Sequence, residues 1–141
     1  MATTTASVSV SSSDLTPGTP LNINASTTCM KAGLTTGLEK MEMGKNILTT
    51  ANGSTSLKLA TAAGADGASK VYLCNNATDD TFYIRLDLHD TIVGRLYAGD
   101  WLFLPWSQND TTNELVIQAF GGSCPYEYAI FKEDETIVAG S

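Results

Sequence analysis

The chain is poor in positive charge, and that shortage excludes more than any motif it contains. Eight Lys and Arg stand against fifteen Asp and Glu, for a formal net charge of −7 over 141 residues. A sequence-independent grip on nucleic acid needs Lys and Arg to replace counterions. An anionic membrane surface recruits the same side chains. Neither partner is expected, and the acidity reads as solubility. No apolar run approaches the roughly 20 residues of a membrane-spanning helix. The N-terminal Met1 to Val10 lacks the basic and apolar regions of a secretion signal, so the expected place of synthesis is a cytoplasm. In that context the Asn-x-Ser/Thr matches at Asn24, Asn52, Asn76 and Asn109 read as turn residues and not as glycosylation sites.

The chemistry-bearing residues are equally sparse. Cysteine occurs three times, at Cys29, Cys74 and Cys124. The number is odd and no pair has C-x-x-C spacing, so free buried thiols are expected. A Cys74–Cys124 bridge is the alternative for a particle that matures outside a cell. The single histidine, His89, has no nucleophile in view and cannot define a triad. No Cys/His set has zinc spacing. Asp79-Asp80 and Glu133-Asp134-Glu135 match no calcium loop and read as solvated loops. The glycines sit singly at turns, with no phosphate-binding loop among them. No catalytic residue, metal ligand or cofactor is assigned, and the expectation is a protein that is not an enzyme.

What the chain has in quantity is alternation. In Thr81 to His89, Phe82, Ile84, Leu86 and Leu88 fall on one face, and Tyr83, Arg85, Asp87 and His89 on the other. That period of two belongs to a sheet with one buried and one wet side. Similar short strands are expected at Val71–Cys74, Ile92–Leu96, Trp101–Pro105, Asn113–Phe120 and Tyr126–Phe131. Turn signals at intervals of about 8–12 residues predict an all-β, antiparallel sandwich or barrel. With 43% hydrophobic residues the chain is able to fill a real core. Its length suits a single domain.

The first half is less regular. Residues 1–20 are Ser/Thr-rich and read either as an edge strand over Ala6–Ser12 or as an extended arm. The β-sandwich domain is expected over 21–141, opening with a strand at Leu21–Thr28. Cys29 to Gly44 reads as a loop that admits one short helical turn over Glu39–Glu42, because its glycines break any longer helix. Asn52-Gly53 marks a tight turn between strands over Asn46–Ala51 and Ser54–Ala62. Met30, Met41 and Met43 supply soft apolar surface, for core filling or for a subunit contact. Trp101, Phe103 and Trp106 lie where both faces of a short strand are apolar. They read as core, as an oligomer contact, or as a sugar-stacking platform.

From Lys70 onward the chain resembles small structural proteins of tailed bacteriophages, of the capsid decoration (cement) type. The residues that carry the resemblance are Lys70-Val71-Tyr72-Leu73-Cys74-Asn75-Asn76, then Gly94 to Pro105 with its Leu96-x-x-Gly99-Asp100 start, then Glu114 to Phe120, and Tyr126 to Ile130. They lie within Lys70 to Ile130, a span of a little under half the chain. The resemblance implies a jelly-roll-like virion sandwich with an extended N-terminal arm. It would decorate and stabilise the capsid exterior, as a homotrimer contacting the major capsid protein, after synthesis in the host cytoplasm. Met30, Met41, Met43, Trp101, Phe103 and Trp106 are then the expected subunit or capsid contacts. The competing expectation is a tail, fibre or head–tail component, or a receptor- or glycan-binding β-sandwich with exposed aromatics such as Tyr97 and Trp106.

Overall fold

The computed structural model describes residues 3–15, 17–31, 37–38, 40–50, 54–57, 67–108 and 114–133. These residues form ten β-strands with no helix among them, and every pairing is antiparallel. The chain divides into two compact units, Met1–Glu39 and Lys40–Ser141.

The first unit is a hairpin of β1 (Thr4–Ser12) and β2 (Leu21–Cys29), in register from Thr4↔Cys29 to Ser12↔Leu21. Within the N-terminal segment, Thr4–Ser12 is a strand whose partner is β2. β2 therefore belongs with the N-terminal segment, and the sandwich begins at Lys40 instead of at residue 21.

The second unit holds β3 (Lys40–Leu48), β4 (Ser54–Leu57), β5 (Gly67–Asn75), β6 (Tyr83–Leu88), β7 (Thr91–Tyr97), β8 (Trp101–Gln108), β9 (Leu115–Phe120) and β10 (Cys124–Lys132). They make two four-stranded sheets, ordered β3-β10-β5-β8 and β4-β9-β6-β7. The chain crosses between the sheets at almost every connection, and only β6–β7 is a hairpin within one sheet. Eight strands in two interleaved sheets of this order form a jelly roll. The core lies between the sheets, where Val71, Leu73 and Ile130 from one meet Ile84, Leu86 and Ile117 from the other.

One expected element changes type. Over Lys40–Leu48 the chain is an edge strand and not a loop with a helical turn. Its Met41, Met43, Lys45 and Ile47 alternate with Glu42, Gly44, Asn46 and Leu48, and the ladder to β10 supplies backbone partners that a lone turn lacks. The pattern was hard to read because the apolar residues face outward and only Leu48 is buried. The Asn52-Gly53 turn lies outside the described residues.

At one end of the sandwich the two motifs that carried the resemblance meet. Tyr97, at the end of β7, accepts from the Asp100 amide at 2.9 Å across a tight turn. Gly99 takes φ +86° there, a conformation that costs a side chain dearly. Asp100 Oδ2 accepts the Tyr97 amide at 2.9 Å. The Asn75 amide donates to Asp100 O at 2.9 Å, and Gly99 N donates to Asn75 O at 2.8 Å. The buried Asn75 side chain donates to Leu96 O at 2.9 Å and accepts from Ala77 N at 2.9 Å. The end of a strand in one sheet is thus bonded to the turn that leaves the other.

Candidate subunit-contact surface

Strand geometry decides what each sheet shows to the outside, because alternate side chains point to opposite faces. On the β3-β10-β5-β8 sheet the inward set includes Leu48, Ile130, Val71, Leu73 and Trp106. The register then places Met43, Ala129, Tyr72 and Phe103 in one row across the outer face, one residue per strand. That row has no charged member. The row beside it runs Met41, Phe131, Lys70 and Pro105, and the row on the other side Lys45, Glu127, Cys74 and Trp101. Phe103 and Phe131 rings meet at 6.3 Å between centroids.

Exposure is concentrated at the two edges of this face. Met41 and Met43 are 52% and 67% exposed on β3, and Trp101 is 49% exposed on β8. Ile47 is also exposed. Charge stays at the margins of the central row. Lys70 Nζ holds both Glu133 carboxylate oxygens at 2.7 Å. Burial, helped by Cys74 and Glu127, pushes the Tyr72 hydroxyl up to about 12.

Of the expected contact residues, Met41, Met43, Trp101 and Phe103 therefore share one sheet face, although up to 62 positions separate them in the chain. Trp106 does not join them: it is 4% exposed and belongs to the core. Its place in the alternation, opposite in parity to Trp101 and Phe103, explains this. Met30 lies in the first unit, exposed, in an isolated bridge with Gly37. Sequence reading missed Tyr72, Phe131 and Ile47 as parts of this face. The signal for Tyr72 was available, since it is out of phase with Val71 and Leu73.

The outer face of the other sheet is aromatic and cationic. Phe120, Tyr83 and Tyr97 form one row. Tyr83 stacks on Phe120 at 5.0 Å with an interplanar angle of 10°, and meets Tyr97 at 5.2 Å. Arg95 lies 4.7 Å from the Tyr83 ring centre, and Arg85 5.2 Å from that of Phe120. Arg85 is also held by both Asp87 oxygens at 2.9 Å. These rings are engaged by neighbours, and Trp106 is buried, so Tyr97 and Trp106 do not cluster.

The hairpin of the first unit is amphipathic. Ala6, Val8 and Val10 pair with Thr27, Ala25 and Ile23 on one face; Ser7, Ser9 and Ser11 pair with Ser26, Asn24 and Asn22 on the other. Neither strand contains a charged residue or a proline.

The remaining candidates resolve into structural roles. Asp79 Oδ1 accepts from the Thr81 amide at 2.9 Å and hydroxyl at 2.7 Å, which holds its carboxyl below the usual range. His89 sits in the β6–β7 turn at φ +54°, between Asp90 and Glu114. Cys74 and Cys124 are free thiols on opposite faces of their sheet, so they do not pair. Comparison with known protein families and with curated protein sequences gave no match.

Proposed function

We propose that this chain is a non-enzymatic virion structural protein that decorates and stabilises a bacteriophage capsid through subunit contacts. The observation that carries this reading is the uncharged row Met43–Ala129–Tyr72–Phe103 on the outer face of the jelly roll, flanked by exposed Met41 and Trp101. Clustered apolar surface on the outside of an acidic protein marks a protein contact, and methionine adapts to an irregular partner. The mechanism is mechanical. Subunits that bind only the assembled shell shift it toward assembly by mass action. In this reading the protein is made in the host cytoplasm, trimerises, and sits on the major capsid protein at the capsid exterior.

The alternative, a tail, fibre or head–tail component or a glycan-binding module, would use exposed aromatics of the second sheet. Tyr83 and Phe120 already pack against each other and against Arg95 and Arg85, which favours the first reading.

Light scattering coupled to size exclusion tests the proposal. A concentration-independent trimer is expected, and Met43→Glu should dissociate it. Deleting residues 1–20 should weaken attachment to purified shells while leaving the sandwich folded. A monomer that fails to bind shells at any concentration would reject the reading.

A further inference from the structure

A sheet edge presents a row of unpaired backbone N–H and C=O groups, and any other strand can add to it. Among the described residues, each edge of the sandwich carries a guard against this. β3 holds the charged Glu42 and Lys45. β4 spans four residues. β8 contains Pro105. β7 carries a bulge, with Val93 left over between the pairs Leu86↔Gly94 and Asp87↔Ile92. Charge, shortness, proline and bulges are the usual means of blunting an edge.

The ribbon of β1 and β2 has none of them. Each strand is nine residues long, uncharged and free of proline. The register runs unbroken from Thr4↔Cys29 to Ser12↔Leu21. No third strand joins this sheet among the described residues, so it shows two open edges, one of β1 and one of β2. Its face of Ala6, Val8, Val10, Ile23 and Ala25 is small and apolar, while the other is Ser and Asn through its middle. Val10 and Ile23, register partners on the apolar face, are 44% and 47% exposed. A ribbon with open edges and an uncovered apolar face is marginal by itself.

The occupant that fits is the same ribbon of other copies. An acidic or basic segment finds no charge to pair with on either strand. Copies of a chain of net charge −7 repel one another, and the uncharged ribbon is where they can approach at least cost. The two edges are also complementary. β2 of one copy can pair antiparallel with β1 of the next, in the same sense each time, and such a head-to-tail contact closes by rotation.

We propose that three copies join their ribbons into a six-stranded β-barrel about a three-fold axis, with the apolar faces inside. Closure leaves no open edge. Each seam is about 30 Å of ladder, from nine residues at about 3.4 Å. Six strands enclose less space than the roughly eight whose interior side chains just fill, and Ala6, Val8 and Ala25 are small enough for it. The proposal rests on the trimer put forward above and names the element that makes it.

Light scattering coupled to size exclusion, with amide hydrogen exchange on the full chain, tests the barrel. In a lone antiparallel ribbon every second amide of each strand points away from its partner. In the barrel those amides are bonded to the next copy, so both sets are expected to exchange slowly. Ala25→Lys, on the inner face, should lower the mass about threefold, from trimer to monomer, and release the outward set alone. Asn24→Lys, on the outer face, should change neither. Should Ala25→Lys release both sets, the ribbon itself has opened, and the milder Val8→Thr takes its place, with dissociation expected at higher concentration than for the unaltered chain. A monomeric unaltered chain, fast exchange of its outward amides, mass that grows with concentration without closing at three, or a trimer indifferent to both inner-face substitutions would each overturn the barrel. The capsid reading falls by a different result, failure to bind purified shells.

Discussion

Asn75 shows how much one side chain can hold. It uses its amide and carbonyl on the β7–β8 turn and its side chain on Leu96 O and Ala77 N, while fully buried. Replacing it with Ala leaves a buried carbonyl and a buried amide unpaired. A loss of roughly 1–3 kcal/mol is expected in urea denaturation, and a change under about 0.5 kcal/mol, typical of surface positions, would contradict this account. A second residue-scale prediction concerns the β9–β10 turn. Phe82 packs directly on Gly121 and Gly122, and a Cβ at Gly122 would come within 2.4 Å of two Phe82 ring carbons. Gly122→Ala should cost about 1–3 kcal/mol by overpacking, and Phe82→Leu in the same chain should recover part of the loss. Alternation alone showed Ile84 and Leu86 as core and placed a short strand at Val71–Cys74. It did not show Asn75 as a buried hub, because asparagine at a strand end ordinarily means a turn.

At the scale of elements, the strands from β5 to β10 were legible and β3 was not. The central strands bury one face and leave the other half-wet, which writes a clean period of two. β3 is an edge strand with its apolar side outward, so its Met41 and Met43 carry no core signal. Tyr128 lies over Gly44, its pair on β3, and its hydroxyl donates to Glu42 Oε2 at 3.4 Å. That packing makes a strand from sequence that locally suits a turn. The hairpin of the first unit differs again. A two-stranded ribbon is marginal alone in water, whereas the sandwich has its own closed core. Removing Met1–Glu39 should therefore leave the jelly roll cooperatively folded, as read by near-ultraviolet circular dichroism through a thermal scan. A molten chain after that truncation would show that the unit boundary does not divide folding.

For the molecule as a whole, the burial of ionisable groups in the core and on the outer row predicts how stability responds to alkali. Burial raises the Cys124 thiol above its ordinary 9.0, and raises the hydroxyls of Tyr126 and Tyr128 above 10.0; Tyr72 rises to about 12. Between the unfolded and folded values the unfolded chain has released protons that the native state retains. Unfolding then becomes easier as pH rises. The stability these groups contribute is complete below about pH 9 and declines from there toward pH 12. Urea midpoints measured from pH 8 to 12 should fall steadily, and Tyr72→Phe should flatten the upper part of the curve. A level profile would show that these hydroxyls ionise alike in both states.

By itself the sequence determined the all-β class, the antiparallel sandwich and the places of most strands from β5 onward. Those follow from a period of two, which is set by local backbone geometry and read residue by residue. The tertiary structure decided which strands pair: β3 with β10, β5 with both β10 and β8, β1 with β2. It also decided that Met43, Tyr72 and Phe103 share one outer row while Trp106 turns inward. Partners such as β3 and β10 stand far apart in the chain, and nothing in a local pattern reports which distant strand completes a ladder. Only the closing of both sheets over a common core selects the pairing, and with it the surface that is left to meet a partner.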